Sequence, residues 1–256
     1  MQRLGRAGTV LASTPGIRGS ADMARTAQRH IDAKRRAAIG AERRAKTRMD
    51  LLASALDLFG KPHGRNTRIE DVCARAGISR GTFYNYFSGI EPLLDALSGA
   101  LTHDFDLAVH AAMEQLAGPL EQTSAAVRYY LHASRADPRW GWAVVNSSVG
   151  RTLYGERITR HVTRSIQEGM DCGDFLLDHA TIGRDIVLGT GIAASVTLLN
   201  GKAPAGYPEK VARQVLLGLG ASARRATGVT ARPIRKLPRV ETPSIFFRGS
   251  LGAPGG

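Results

Sequence analysis

Apolar residues recur at helical spacing over nearly the whole stretch between residues 39 and 228. The first clear helix is predicted from about Glu42 to Phe59, and one face of it is apolar at intervals of three and four: Met49, Leu52, Leu56 and Phe59. No alternating β-branched runs bounded by turn residues stand out. The pattern therefore predicts an all-α fold.

Shorter amphipathic segments follow this helix. Thr67 and Glu70 have the spacing of a capping box, which predicts that a second short helix begins at Thr67, with Ile69, Val72, Cys73 and Ala76 on its inner side. Gly77 supplies a tight backbone position, and Ser79 is a suitable N-cap for a third helix, Arg80–Tyr86. Two short helices joined by a tight turn indicate helix-turn-helix geometry, with an apolar inner side formed by Ile69, Val72, Ile78, Phe83 and Phe87.

The outer face of the predicted third helix carries side chains that suit the major groove of DNA. Arg80 can pair with a guanine or a phosphate, Thr82 can contact a phosphate or a thymine methyl, and Asn85 can bond an adenine edge. Tyr84 and Tyr86 can donate to phosphates. Taken alone, this segment is equally an aromatic-rich amphipathic helix, but the helices around it favour DNA recognition.

The rest of the pattern predicts a helical bundle. A long helix from about Pro92 to Leu116 leads into further helices at Glu121–Ala136, Trp140–Ser147, Thr152–Met170, Asp178–Asn200 and Pro208–Thr227. The chain is thus predicted to divide into a flexible basic tail (1–38), a helix-turn-helix domain (39–92), a larger helical regulatory and dimerisation domain (93–228) and a second flexible basic tail (229–256).

The net charge of the chain favours a nucleic-acid partner, and the distribution of that charge indicates which segments would contact it. The 256 residues include 35 Lys and Arg against 22 Asp and Glu, a formal charge of +13. The ends hold the surplus, with 12 basic and 3 acidic side chains in residues 1–48 and 5 and 1 in residues 229–256. The middle of the chain is balanced. We therefore expect the ends to add salt-sensitive, sequence-blind affinity for DNA.

Cysteine usage and hydropathy predict a cytoplasmic protein. Cys73 and Cys172 stand far apart without metal-ligand spacing, so neither a disulfide framework nor a zinc site is indicated. The N-terminus has no apolar secretory core. The longest uncharged apolar run, Ile186–Leu199, has 14 residues, short of the roughly 20 that a membrane span needs, and it is interpreted as a buried helix.

Residues 69–94, IEDVCARAGISRGTFYNYFSGIEPLL, resemble the DNA-binding domain of the TetR family of bacterial transcriptional regulators. The resemblance implies a homodimer with an N-terminal DNA-binding unit and a helical C-terminal domain that encloses an inducer pocket. Arg68 stands where the family usually has a second Thr or Ser. The residues expected to contact double-stranded DNA, with Gly81 and Asn85 nearest the bases, are Thr67, Arg68, Ser79, Arg80, Gly81, Thr82, Tyr84, Asn85 and Tyr86.

The same resemblance, together with apolar faces, predicts that the dimer forms through the last two predicted helices, Asp178–Asn200 and Pro208–Thr227. Six large apolar or amphipathic side chains are the predicted wall of a pocket for a small-molecule effector: Phe105, Met113, Tyr129, Trp142, Tyr154 and Phe175. The sequence thus predicts a repressor that a small apolar or amphipathic effector releases from a pseudo-palindromic operator.

Three other interpretations remain open. An architectural DNA-binding protein without an effector would depend mainly on the basic ends. The segment Gly189–Ala194 matches the GxGxxA dinucleotide fingerprint of an enzyme, although nothing nearby is predicted to be a strand. Asp106 and His110, with His103, could form a metal site, but a solvated helix face explains them equally well. No catalytic residue, metal site or cofactor is predicted.

Overall fold

The computed structural model describes residues 18–148 and 152–237, and within them it contains α-helices, one 3-10 turn and no β-strand. The helices of the N-terminal part are α1 (Arg18–Phe59), α2 (Ile69–Ala76) and α3 (Arg80–Tyr84), with the 3-10 turn Gly64–Asn66 between α1 and α2. The larger helical part contains α4 (Ile90–Met113), α5 (Pro119–Ala136), α6 (Pro138–Ser148), α7 (Glu156–Asp171), α8 (Ala180–Leu199), α9 (Tyr207–Gly218) and α10 (Ala223–Thr230). The predicted all-α fold is confirmed.

Helix α1 begins at Arg18, well before the predicted start at Glu42. Residues 18–38, predicted as part of a flexible tail, are therefore helical, whereas residues 1–17 of that tail lie outside the described residues. Alanine and arginine dominate this stretch and have high helix propensity, while the prediction relied on apolar periodicity. The chain divides into two compact units at this helix, one up to Thr47 and one from Arg48 onward.

One extended apolar core runs through the second unit. Its largest fully buried side chains include Phe59 of α1, Phe83 of α3 and Phe175 in the loop before α8. Helix α5 lies at the centre of the larger helical part and packs against α6, α7, α8 and α9. Burial of these aromatic rings supplies most of the hydrophobic driving force at each location.

The C-terminal end of the described chain differs from its prediction. The single helix predicted over Pro208–Thr227 is two helices, because α9 ends at Gly218 and Ser222 caps α10 by accepting the Arg225 N–H at 3.4 Å. The predicted tail from residue 229 is also anchored in part, since Arg128 donates to Arg232 O at 2.7 Å and Tyr129 donates to Arg235 O at 2.8 Å. The rest of that tail, residues 238–256, lies outside the described residues.

Candidate nucleic-acid interface and effector cavity

A tight turn sets the position of α3 relative to α2. Gly77 ends α2 in the left-handed conformation, with φ of +67°, which a residue with a Cβ rarely adopts. The Ile78 N–H then donates to Cys73 O at 3.0 Å and closes the turn. The tight glycine turn predicted from the sequence is therefore present between these two helices.

Side chains on both sides of α3 fix its orientation. At its start the Thr82 N–H donates to Ser79 Oγ at 3.1 Å, as predicted for an N-cap. Phe83 is 0% exposed, and the Phe87 ring packs 5.9 Å from it between centroids. Helix α3 ends at Tyr84, two residues earlier than predicted, and Asn85 is its C-cap. With the apolar residues held inside, the polar ones face outward.

The capping of α2 was predicted one residue too early. Arg68 is the N-cap, and its backbone N–H donates to Asp71 Oδ2 at 2.8 Å, whereas the prediction paired Thr67 with Glu70. The sequence pattern favoured Thr67 because its hydroxyl can accept a backbone N–H, whereas Arg68 has no side-chain acceptor and is the N-cap through its backbone alone. Glu70 is instead 2.9 Å from the guanidinium of Arg80.

All nine predicted DNA-contact residues are at least partly accessible. Six are exposed, namely Arg68, Ser79, Arg80, Gly81, Tyr84 and Asn85, and three are half-buried, namely Thr67, Thr82 and Tyr86. A hydrogen bond to Tyr84 and the charge of Glu70 raise the pKa of Arg80, whose guanidinium is charged at any physiological pH. Because the Arg80–Glu70 pair is more than half exposed, it is weak and leaves Arg80 able to exchange Glu70 for a phosphate.

Helix α6 holds the end of α1 through contacts that sequence reasoning missed. The Asn146 side chain donates from Nδ2 to Phe59 O at 2.7 Å and to Lys61 O at 2.8 Å. Asp57 of α1 forms ion pairs with Arg139 of α6 and with Arg75 of α2. These contacts connect the helix-turn-helix segment, residues 48–87, to the larger helical part.

Two adjoining cavities lie among α4, α5, α7 and α8, with volumes of about 60 and about 50 Å³. They share five lining residues: Ala126, Tyr130, Ile158, Val162 and Val187. Each is larger than the space of about 10–15 Å³ that one water molecule requires. The larger helical part therefore contains two small, partly open cavities with mostly apolar walls.

A buried carboxylate lies at one end of the first cavity. The Asp106 side chain is 5% exposed and Arg157 Nη2 lies 2.8 Å from its Oδ2. His110 Nδ1 is 3.5 Å from Oδ1, and His161 Nδ1 is 3.5 Å from Oδ2. The Tyr130 hydroxyl donates to Oδ1 at 3.4 Å. We call Asp106, His110, Tyr130, Arg157 and His161 the Asp106 cluster.

The charge states within the Asp106 cluster follow from these contacts. Burial alone would raise the pKa of Asp106, but the interactions with His110 and Arg157 outweigh it, so this pKa lies below its usual range. The hydrogen bond to Asp106 raises the pKa of His110. Burial lowers the pKa of His161, and the charge on His110 lowers it further. The cluster therefore combines an ionised carboxylate, a guanidinium and two histidines with opposite pKa shifts.

Three members of the cluster also have the chemistry of metal ligands. One ligand atom each of Asp106, His110 and His161 lies within 4.8 Å of the others. His103, which the sequence placed with this group, is exposed and is not among them. Arg157 already supplies a positive charge at the carboxylate, so a second cation there would be repelled.

Two of the six predicted effector residues line the cavities: Met113 lines the first and Tyr154 the second. The other four lie elsewhere. Phe105 packs edge-on against Tyr130 with centroids 4.9 Å apart, and Tyr129 holds the C-terminal segment. Phe175 is buried in the core, and Trp142 is half-buried on α6. The aromatic character of a residue in the sequence therefore did not indicate whether its side chain lines a cavity or packs in the core.

Helix α8 retains apolar surface on the side predicted to form the dimer. Ile182 is 48% exposed, and Ile186, Gly189, Ala193 and Val196 are half-buried or exposed. Among the described residues, α8 is also the helix that is long and apolar enough to cross a membrane by length and composition, with 28% of its apolar window buried. The predicted apolar face of the second helix, Val211, Val215, Leu216 and Leu219, is instead buried within the chain.

The GxGxxA segment lies in the middle of α8. The dinucleotide fingerprint requires a strand followed by a turn and a helix, and that arrangement is absent here. A Cβ at Gly191 would lie 3.0 Å from the Tyr154 hydroxyl, so close packing explains the small residue at this position. The segment is therefore part of a packed helix.

A three-helix unit with an exposed polar reading helix, joined to a larger helical part with its own cavity, defines a helix-turn-helix transcriptional regulator. The family model described as bacterial regulatory proteins of the tetR family matches residues 51–97, and the model described as tetracyclin repressor-like, C-terminal domain, matches residues 118–232. The chain belongs to the TetR family.

Solved structures show the same fold. The RolR structure in complex with resorcinol is 24% identical, with a TM-score of 0.62, and the match covers 77% of this chain and 100% of that one. The fatty acid degradation regulator FadR from Bacillus halodurans is 18% identical, with a TM-score of 0.51, and the match covers 66% of this chain and 98% of that one. The search of curated proteins found no match.

Proposed function

We propose that this regulator is a cytoplasmic homodimeric repressor that a small molecule releases from a pseudo-palindromic operator. The observation that carries the proposal is the joining of an exposed reading helix to a separate cavity within one compact unit. A ligand that fills the cavity can bias the arrangement of the helices around it, and so change DNA affinity. An architectural DNA-binding protein has no need of such a cavity.

The proposed DNA contacts are the nine accessible residues named above. Arg80, Thr82 and Asn85 are proposed to meet base edges or adjacent phosphates, and Tyr84 and Tyr86 to donate to phosphates. In a two-fold dimer each subunit reads one half-site. The apolar outer side of α8 is the proposed dimer surface, with the exposed Gln214 and Gly218 of α9 beside it.

Binding of the full-length protein to DNA from its own upstream region tests the proposal. We expect binding to this DNA to exceed binding to a scrambled duplex by at least about a thousandfold at physiological salt. Deletion of residues 1–38 is expected to lower affinity for both duplexes and to preserve the preference. Equal affinity for both duplexes across salt concentrations would show that recognition is not specific, and loss of nearly all binding on deletion would favour an architectural protein.

Gly81 offers a sharper test of close DNA approach. A Cβ at this position would meet only Ser79 Oγ, at 3.8 Å, so the fold accepts alanine, which has the higher helix propensity. We expect Gly81→Ala to preserve the melting temperature and to weaken operator binding roughly tenfold, about 1.4 kcal/mol.

The matched control is Gly99→Ala in α4. This glycine is also helical and exposed, and a Cβ there would meet nothing within 4 Å. Operator affinity is expected to stay unchanged in this variant, as measured by fluorescence anisotropy. Wild-type affinity in Gly81→Ala would mean that the DNA backbone does not approach this turn of α3.

A further inference from the structure

The Asp106 carboxylate is buried without enough hydrogen-bond donors. An ionised carboxylate has about four acceptor positions on its two oxygens, and burial is costly unless these are used. Arg157 Nη2 lies 2.8 Å from Oδ2 as an ion-pair partner, but it donates its hydrogen bond to His103 O, and Oδ2 itself has no hydrogen-bond partner. Tyr130, His110 and His161 lie at 3.4–3.5 Å from the carboxylate, the outer limit for a hydrogen bond. The carboxylate can therefore accept another donor.

His161 faces the same point from α7. Its Nδ1 is buried and has no hydrogen-bond partner, although it lies 3.5 Å from Asp106 Oδ2. A neutral imidazole can donate from one nitrogen and accept at the other. A ligand hydroxyl placed between these groups could donate to Asp106 and pair with His161, which would satisfy both.

The surroundings favour an uncharged ligand with an apolar ring. Five aliphatic side chains line the first cavity beside the Asp106 cluster: Val109, Ile158, Val162, Ile166 and Val187. The rings of His110 and His161 lie 4.5 Å apart between centroids, tilted by 57°, and add two aromatic surfaces to the wall. A carboxylate ligand placed between Asp106 Oδ2 and His161 would meet the like charge of Asp106 at contact distance, whereas a neutral hydroxyl would not.

We propose that the Asp106 cluster is the recognition site for the hydroxyl group of a small neutral phenol-type effector, whose ring occupies the adjoining apolar cavity. Asp106 accepts the hydroxyl proton, and His161 pairs with the same oxygen. The inference deepens the proposed function, since it assigns the effector site and the effector class to this cavity. It differs from a metal site, which would need Arg157 to move away from the carboxylate.

Isothermal titration of the full-length protein without DNA tests this assignment with resorcinol, phenol and benzoate as probes. We expect resorcinol or phenol to bind and benzoate to bind at least about tenfold more weakly. Asp106→Asn should weaken hydroxyl-probe binding at least about tenfold, because a hydrogen bond to a charged acceptor is lost. Asp104→Asn is the control on the same helix, since Asp104 lies outside the cluster and the cavity lining, and should bind as wild type.

His161→Leu provides a second variant that keeps the buried carboxylate and its Arg157 partner. Because His161 Nδ1 makes no hydrogen bond in the protein, the variant should keep its fold and still lose about tenfold in probe affinity. Wild-type probe affinity in both variants would overturn the proposal. So would a failure of both phenols to bind wild type, or binding of Zn²⁺ alone that raises the melting temperature and is lost in Asp106→Asn.

Release of DNA is measured separately, by adding the same probes to the protein–operator complex. Probe binding that leaves operator affinity unchanged would count against the proposed repressor mechanism while leaving the Asp106 site in place. If the protein binds its operator normally but binds neither phenol, the proposed Asp106 site is rejected while the proposed DNA recognition stands. The two failures are thus distinguishable.

Discussion

Phe83→Ala is expected to abolish operator binding by unfolding the reading helix. Phe83 is 0% exposed and is the fourth of the five residues of α3. Its ring packs edge-on against Tyr84 at 5.5 Å and near Phe87 at 5.9 Å between centroids. Truncation of a fully buried phenylalanine costs about 3–5 kcal/mol. A helix of five residues is not stable without tertiary packing. We therefore expect most of the lost stability to appear as unfolding of α3 and the turn before it.

Tyr84→Ala is the matched comparison, because the neighbouring ring is 47% exposed. We expect Tyr84→Ala to keep the free energy of unfolding in urea within about 0.5 kcal/mol of wild type and to weaken operator binding through the loss of a phosphate contact. Comparison of the Phe83→Ala and Tyr84→Ala variants distinguishes a loss of folding from a loss of DNA contacts. Normal operator binding by Phe83→Ala, measured by anisotropy beside urea unfolding, would mean that α3 is not the reading helix.

The helix-turn-helix segment, residues 48–87, which we also call the reading head, was predictable because the residues that cap and turn its helices are close together in the sequence. Gly77, Ser79 and the alternation of buried and exposed aromatic residues from Phe83 to Phe87 act within a single turn or helix. The N-cap of α2 was predicted at Thr67 instead of Arg68, because Arg68 has no side-chain acceptor and nothing in the capping pattern marks it. The early start of α1 was missed because a polar helix leaves no apolar periodicity to detect.

The Asp106 cluster was only half predictable. Asp106 and His110 stand one helical turn apart and were noticed as a pair, but Arg157 and His161 belong to α7, about fifty residues later. No local pattern says which face of α7 meets α4, because that depends on packing of the whole bundle. The same limit applies to the predicted effector residues, of which Met113 and Tyr154 line the two cavities among α4, α5, α7 and α8.

Asn146→Asp is expected to cause a large loss of stability and to weaken the connection between α6 and the reading head. Asn146 is 6% exposed and its Nδ2 donates to two carbonyls, Phe59 O and Lys61 O. An ionised aspartate has the same shape but no donor, and it would place a buried charge against two carbonyl oxygens. Each buried group left unpaired costs about 1–3 kcal/mol, so we expect a total loss of about 3–5 kcal/mol near neutral pH.

The pH dependence of this variant separates lost hydrogen bonds from a packing defect. Burial and the facing carbonyls would raise the pKa of the introduced carboxyl, and its protonated form regains one O–H donor. Stability relative to wild type should therefore recover as pH falls through that raised pKa. Ser147→Ala, whose hydroxyl donates only to Val144 O within α6, should lose less than about 1.5 kcal/mol with no such pH dependence.

Operator binding links this stability effect to regulation. Asn146, Arg139 and Asp57 form the hydrogen bonds and ion pairs by which α6 holds the end of α1. If helix movement around the cavity reaches the reading head through α6, Asn146→Asp should bind effector normally at low pH while operator affinity responds less to that effector. An unchanged effector-induced shift in operator affinity, with stability lowered as expected, would assign Asn146 to folding alone and place the coupling elsewhere.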